Sequence, residues 1–281
     1  MFSFLDKLEE RRVFLPPVDE AKMKYLAVVV MLLDHVTYAF LERMYGANGY
    51  PVMFSFSGGY LLDRVGRAIG RQSFPIFCFF LVEGFLHTRS RIKYFLRLAV
   101  FAILSQFPFQ ICLFPRAKEL HANVICTLCI GFLAIWVIHE MWKICSWNKK
   151  GEKEEVEESA QGPGGIYAQP VLRMTLFLIA GVSATAGFCR LATVLRTDYG
   201  MGGVILIVIL YCLRRYRITS LFISWVWMTW YNRYELYAAP AFMLLACYNG
   251  QRGKQHKYFF YFFYPAHLFL IWAVRKYFAG Y

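Results

Sequence analysis

Two histidines stand where the surrounding sequence is otherwise apolar. His35 lies inside the run Tyr25–Leu41, and His267 follows Tyr264-Pro265-Ala266. Imidazole titrates near neutrality, so a histidine in such a setting suits general acid–base chemistry. Ionisable groups cost a few kcal/mol each to place within a bilayer, which makes them functional candidates by default. At 1.5 Å per helical residue, both histidines sit about 15 Å in from the same side of the layer. Asp34 adjoins His35 and joins the candidate catalytic set. Neighbouring helix positions diverge by about 100°, however, so Asp34 is not expected to hold His35 as its own dyad partner.

Other groups are placed to bind a substrate. Lys24 precedes His35 by eleven residues, three full turns plus about 20°, which puts both on one helix face. A cation at the edge and an imidazole at mid-depth suit a long ligand with an anionic head. Glu83 and His87 pair at i, i+4, either to orient the imidazole or to bond a neighbouring helix. Arg89 follows at the same edge, and Arg71 enters that run from the opposite end, before Ser73-Phe74-Pro75. Asp198, ahead of Tyr199-Gly200, reads first as a helix N-terminal cap, while the glycines after it permit close approach of a substrate. Asn249-Gly250-Gln251-Arg252-Gly253-Lys254 offers amides, glycines and cations for phosphate. His267, Tyr264 beside Pro265, and Asn249 are candidate oxyanion donors.

The elements that must position these groups are membrane helices. Hydrophobic residues make up 58% of the chain and charged residues only 17%, too few to clothe a soluble surface. The expected fold is all-α: a polytopic transmembrane helical bundle of about nine membrane helices. The apolar runs fall near 23–42, 68–88, 92–114, 122–142, 171–190, 199–213, 217–231, 235–248 and 257–278. Residues 1–21 read as a cytoplasmic tail, 22–281 as one membrane domain, and 147–169 as a polar cytoplasmic linker. No signal peptide core is visible in residues 1–20.

The net charge of +13 would raise nucleic acid as a partner in a soluble protein. Here cytoplasmic loops rich in Lys and Arg account for it, so no nucleic-acid partner is expected. The basic residues favour the side of the N-terminus, which predicts a multi-pass protein of the cell membrane with that end in the cytoplasm. Most of the eight cysteines lie in apolar runs as small hydrophobes. Cys126 and Cys129 form a C-x-x-C without further ligands nearby, so no metal and no bound cofactor are expected.

Several strings, in order, resemble the TraX family of conjugal-transfer pilin-acetylation membrane proteins. They are Leu32-Leu33-Asp34-His35, Gly70-Arg71-Gln72-Ser73-Phe74-Pro75-Ile76-Phe77 and Leu81-Val82-Glu83-Gly84-Phe85-Leu86-His87-Thr88-Arg89. Asp198-Tyr199-Gly200, Tyr248–Gly253 and Phe263-Tyr264-Pro265-Ala266-His267-Leu268 complete the set. The resemblance implies an integral-membrane acyltransferase acting on an N-terminal amine. The wider group of membrane acyltransferases to which it is similar carries a cation-x10-His in its first helix. Lys24-x10-His35 matches that spacing with Lys where Arg is commoner, which forgoes a bidentate phosphate contact.

The expected function is therefore transfer of an acetyl group from cytoplasmic acetyl-CoA, as co-substrate, to an amine or hydroxyl. The acceptor would be a pilin-like peptide N-terminus or a cell-surface glycan. Lys24, Arg89, Arg252 and Lys254 would hold the acyl-CoA and His35 would act as base. The competing reading is a proton-coupled transporter using midplane His and Asp residues, although no internal repeat is visible.

Overall fold

The computed structural model describes residues 17–42, 58–115, 117–158, 168–256 and 258–279. Over these the chain is helical, and its only β pairings are the isolated bridges Val18–Tyr248 and Ala122–Thr197. The helices are α1 (Glu20–Val36), α2 (Gly58–Gly70), α3 (Ser73–His87), α4 (Arg91–Leu113) and α5 (Val124–Glu158). They continue with α6 (Ala168–Val194), α7 (Gly200–Cys212), α8 (Arg217–Tyr231), α9 (Ala239–Ala246) and α10 (Phe259–Ala279). A π-helical turn, Thr37–Glu42, extends α1, and a 3-10 helix, Arg233–Ala238, joins α8 to α9.

Among the described residues, five helical stretches are long and apolar enough to cross a membrane: Glu20–Phe40, Leu62–His87, Arg91–Leu113, Val124–Ile144 and Met174–Val194. The shorter Gly200–Cys212 is also apolar. Each expected apolar run has a helical counterpart, but nine full crossings are not established. The eighth run shows why: Asn232 caps a 3-10 turn and only the eight residues of α9 follow. An eight-residue helix spans about 12 Å, well short of a bilayer core. In the opposite sense, the polar stretch from 147 is helical as far as Glu158. Its Lys and Glu are good helix formers, and α5 continues through them. Residues 159–167 and the tail before residue 17 lie outside the described residues.

Four local devices set the frame of the bundle. Asp19 caps α1 by accepting from the Lys22 amide at 2.9 Å, and that backbone contact holds its carboxyl below the usual range. The next two amides, of Glu20 and Ala21, donate to the carbonyls of Gln251 and Arg252. The start of α1 is thus strapped to the 248–253 loop. Gly253 permits the strap: its φ is +68°, and a Cβ there would meet the Asp19 carboxylate at 2.7 Å. At the other end α2 closes against α1 so tightly that a Cβ on Gly70 would lie 2.3 Å from Asp34.

Side chains fasten the remaining helix ends. Arg275 of α10 is buried and donates to the Ile111 and Cys112 carbonyls, satisfying the C-terminus of α4. Gln106 donates to the His121 carbonyl at 2.6 Å and accepts from the Asn123 amide. Asn123 in turn caps α5 through the Ile125 amide, so both polar residues belong to helix packing. The core is a continuous set of aromatic and aliphatic side chains around Phe85, Phe132, Leu206, Ile207 and Leu268. Leu176, Leu178, Ile179 and Val182 of α6 stay exposed, a surface suited to lipid chains.

Candidate functional site

The bundle brings His35 and His267 into direct contact, 232 residues apart in sequence. His35 Nδ1 lies 2.7 Å from His267 Nε2, with the rings 8° from parallel and their centroids 5.0 Å apart. Both residues are buried. The second nitrogen of His267 decides the proton positions. His267 Nδ1 is 2.7 Å from the Phe263 carbonyl, which can only accept, so Nδ1 carries the hydrogen. In a neutral ring His267 Nε2 is then an acceptor, and His35 Nδ1 must donate to it. His35 Nε2 is left with a lone pair and no hydrogen-bond partner among the described residues. A carbonyl-anchored imidazole thus fixes the tautomer of the second ring and presents its basic nitrogen.

Tyr264 completes this group. Its ring stands edge-on to His35 with centroids 6.2 Å apart. Its buried hydroxyl approaches the Val124 amide without completing a hydrogen bond of ordinary geometry. Pro265 lacks an N–H and leaves the helix ladder open beside it.

On one side of the histidine pair lies a cavity of about 680 Å³, within the size range of small-molecule and cofactor sites. Met31, one turn before His35, and Tyr264 line its inner part. Its mouth carries Lys24, Arg89, Arg97 and Arg252, with Glu20, Glu83 and His87 among them. Lys24 is held by Glu20 at 2.5 Å and lies over the rings of Phe80 and Phe260. His87 donates from Nδ1 to the Glu83 carbonyl at 2.8 Å, so its bond runs to backbone, with the Glu83 carboxylate 3.8 Å away. One expected rim group and one expected oxyanion donor stand apart. Lys254 is exposed and does not line the cavity. Asn249 spends its side-chain oxygen on the Gln251 amide at 2.8 Å, shaping the turn.

The remaining candidates gather at the opposite end. Asp34 turns away from His35 and pairs with Arg67 at 2.7 Å. Arg71 pairs with the buried Glu235 at 3.2 Å, and it is Ser73 that satisfies the Gly70 carbonyl beside the α2–α3 break. Tyr199, not Asp198, occupies the N-cap of α7, and no side chain caps that helix. Asp198 is solvent-exposed, yet it interacts electrostatically with Arg71, Asp34, Arg67 and His121.

Three site residues do not stand out in the sequence: Arg97 lies inside the apolar run 92–114, Glu20 in the stretch read as a tail, and Glu235 at the start of the run 235–248. The rule that singled out Asp34, an ionisable group within a hydrophobic stretch, also applies to Glu235. Cys126 and Cys129 are unpaired thiols, and the described residues hold no cluster of three or more potential metal ligands.

Comparison with known proteins places the chain in a family. No solved structure matches the chain. A "Probable fimbrial assembly protein FimC, serogroup H1" from Dichelobacter nodosus is 31% identical over 125 residues. That match covers 41% of this chain and 45% of the relative, so the chain spans less than half the relative's length. The family model described as "TraX protein" matches residues 19–275, a range that includes the histidine pair, the basic cavity and the opposite ion cluster. The chain belongs to the TraX protein family.

Proposed function

We propose that this protein is a membrane acyltransferase that moves an acetyl group from acetyl-CoA to an amine or hydroxyl acceptor. The observation that carries the reading is the His35–His267 pair, with one basic nitrogen left free, beside a cavity that Tyr264 and four cations line. Lys24, Arg89, Arg97 and Arg252 would hold the phosphates and the pantetheine arm would run inward past Met31. The chain's family, and the description of its relative as a fimbrial assembly protein, support a pilin-like peptide as acceptor. A glycan hydroxyl is the alternative within the same chemistry.

In the reaction the acceptor atom attacks the thioester carbonyl while His35 Nε2 takes its proton. His35 becomes an imidazolium whose Nδ1–H already points at His267, so the bond between the rings strengthens as charge develops. Tyr264 would donate its hydroxyl hydrogen to the forming oxyanion. As the tetrahedral intermediate collapses, the C–S bond breaks and His35 returns the proton to the thiolate, releasing CoA.

The test is detergent-purified protein with labelled acetyl-CoA and an acceptor peptide. Acceptor-dependent release of free CoA is expected, with at least a hundredfold or so lower turnover in His35→Gln, the low end of what a general base contributes. Undiminished transfer by His35→Gln would remove the base from the mechanism. Proton flux through the protein reconstituted in sealed vesicles, without CoA release, would favour a proton-coupled transporter.

A further inference from the structure

The mechanism above leaves a buried carboxylate unused. Glu235 is 1% exposed. Arg71 holds its Oε1 at 3.2 Å, and its Oε2 has no hydrogen-bond partner. An unmet carboxylate oxygen in such a place is costly unless something occupies it. A second buried carboxylate of the same cluster, Asp63, also leaves an oxygen, Oδ1, unmet. Two acceptors without donors point to a ligand rich in N–H groups.

The charges point the same way. Arg71 pairs with Glu235, and Asp34, Asp198, Tyr199 and the thiol of Cys78 on α3 lie within electrostatic reach of it. Asp63 meets Arg64, Arg67 and Asp34. Among the described residues, the carboxylates of Asp34, Asp63, Asp198 and Glu235 thus outnumber the guanidiniums of Arg64, Arg67 and Arg71 by one. One added cation would balance the cluster. The cluster also adjoins the histidine pair. Asp34 is the chain neighbour of His35, and the charges of Arg67 and Arg71 both act on the His35 ring.

An alkylamine acceptor needs such a group. With a lysine-like pKa near 10.4, only about one molecule in 2,500 is neutral at pH 7, and an ammonium has no lone pair with which to attack. Acylating it therefore removes two protons, and His35 can account for only one of them. Resting on the acyltransferase reading, we propose that Glu235 is the proton acceptor that converts a bound primary ammonium into the attacking amine.

The sequence balances as follows. Glu235 Oε2 takes one proton from R–NH3+ and frees the nitrogen lone pair. The nitrogen then forms the C–N bond to the thioester carbonyl and gives its second proton to His35 Nε2. The C–S bond breaks, His35 protonates the thiolate, and Glu235 passes its proton outward to water by way of the exposed Asp198. The net change is ammonium plus acetyl-CoA giving amide, CoA thiol and one free proton.

The experiment compares two amines of similar size, n-propylamine, protonated at neutral pH, and 2,2,2-trifluoroethylamine, largely neutral there. Amine-dependent CoA release is measured for the wild type, Glu235→Gln and Glu235→Asp, with acetyl-CoA affinity as the check on folding. Glu235→Gln is expected to lose about a hundredfold or more with propylamine and to stay within about threefold of wild type with trifluoroethylamine. Glu235→Asp should restore part of the propylamine activity. Equal loss with both amines, or loss with neither, overturns the assignment. So does a wild type that binds acetyl-CoA but transfers to neither amine, because a cluster with exposed Asp198 at its edge should admit amines this small. A wild type that releases no CoA with any acceptor defeats the acyltransferase reading instead.

Discussion

His267 is expected to matter through His35 alone, and the size of the effect follows from the hydrogen bond between them. In the resting pair His35 donates a neutral N–H to His267 Nε2 over 2.7 Å, a bond of about 0.5–1.5 kcal/mol net. Once His35 holds the acceptor's proton the same bond is charge-assisted, at about 1.5–3 kcal/mol. The difference of about 1–2 kcal/mol belongs to the transition state, and its loss corresponds to about 5- to 30-fold in rate. His267→Leu removes the acceptor and should fall in that range, with kcat reduced and acetyl-CoA affinity unchanged. His267→Gln keeps a carbonyl oxygen that can accept from Nδ1, so it should lose less. His35→Gln should exceed both. Acceptor-dependent CoA release under saturating acetyl-CoA measures all three. A His267→Leu protein as active as wild type would break the argument. An inactive His267→Gln beside an active His35→Gln would reverse the two roles.

The cavity rim gives a second outcome. Lys24→Ala, Arg97→Ala and Arg252→Ala should each weaken acetyl-CoA binding, whereas Lys254→Ala, off the cavity wall, should leave it near the wild-type value. Equal weakening at Lys254 would mean a diffuse charge effect, readable as a shared salt dependence. In the strap at the start of α1, Gly253→Ala should cost about 1–2 kcal/mol for its left-handed backbone, lowering the thermal midpoint. Gly181→Ala, whose Cβ would meet nothing within 4 Å, should not destabilise. For orientation, a cysteine probe at Ser159 should react only after the membrane is opened, and one at Ala279 from outside. Labelling of Ser159 in intact cells would invert the assignment.

What the sequence discloses is depth, and depth is what a fixed rise per residue encodes. Lys24 and His35 fall on one stripe by counting turns, and His35 and His267 reach the same level by counting inward from basic flanks. The helical elements follow equally well from apolar runs and their punctuation: the expected 217–231 run coincides with α8 at both ends. Which way a side chain turns around its helix, and which helix it meets, depends on packing that no spacing records. Asp34 illustrates the limit. Counting excludes it as a partner for His35, but only the close approach of α2 at Gly70 shows that it belongs to Arg67. Arg97 fails for the related reason that an arginine within a helix reads alike whether it snorkels or lines a cavity.

Lack of azimuth also explains why a single list of polar candidates conceals two sites. Lys24, Glu83, His87, Arg89 and Arg252 share one cavity, whereas Asp34, Arg71 and Asp198 stand in another cluster with Glu235. The histidine pair adjoins both: Tyr264, edge-on to His35, lines the cavity, and Asp34 of the cluster is the chain neighbour of His35. A single-ended site would require acyl donor and acceptor to enter in turn through one mouth, past the same cations. Two polar ends meeting at one base let both be bound together, and the opposite characters of the ends suit opposite substrates. On the proposed reading the cation-lined cavity would take the polyanionic donor, and the cluster, whose described carboxylates outnumber its described guanidiniums, would take the cationic acceptor. On that account, exchanging Arg71 for Ala should do more than loosen Glu235. It would leave the carboxylate buried and uncompensated, so loss of amine transfer should come with loss of stability. Glu235→Gln, which keeps the volume and removes the charge, should separate the two effects.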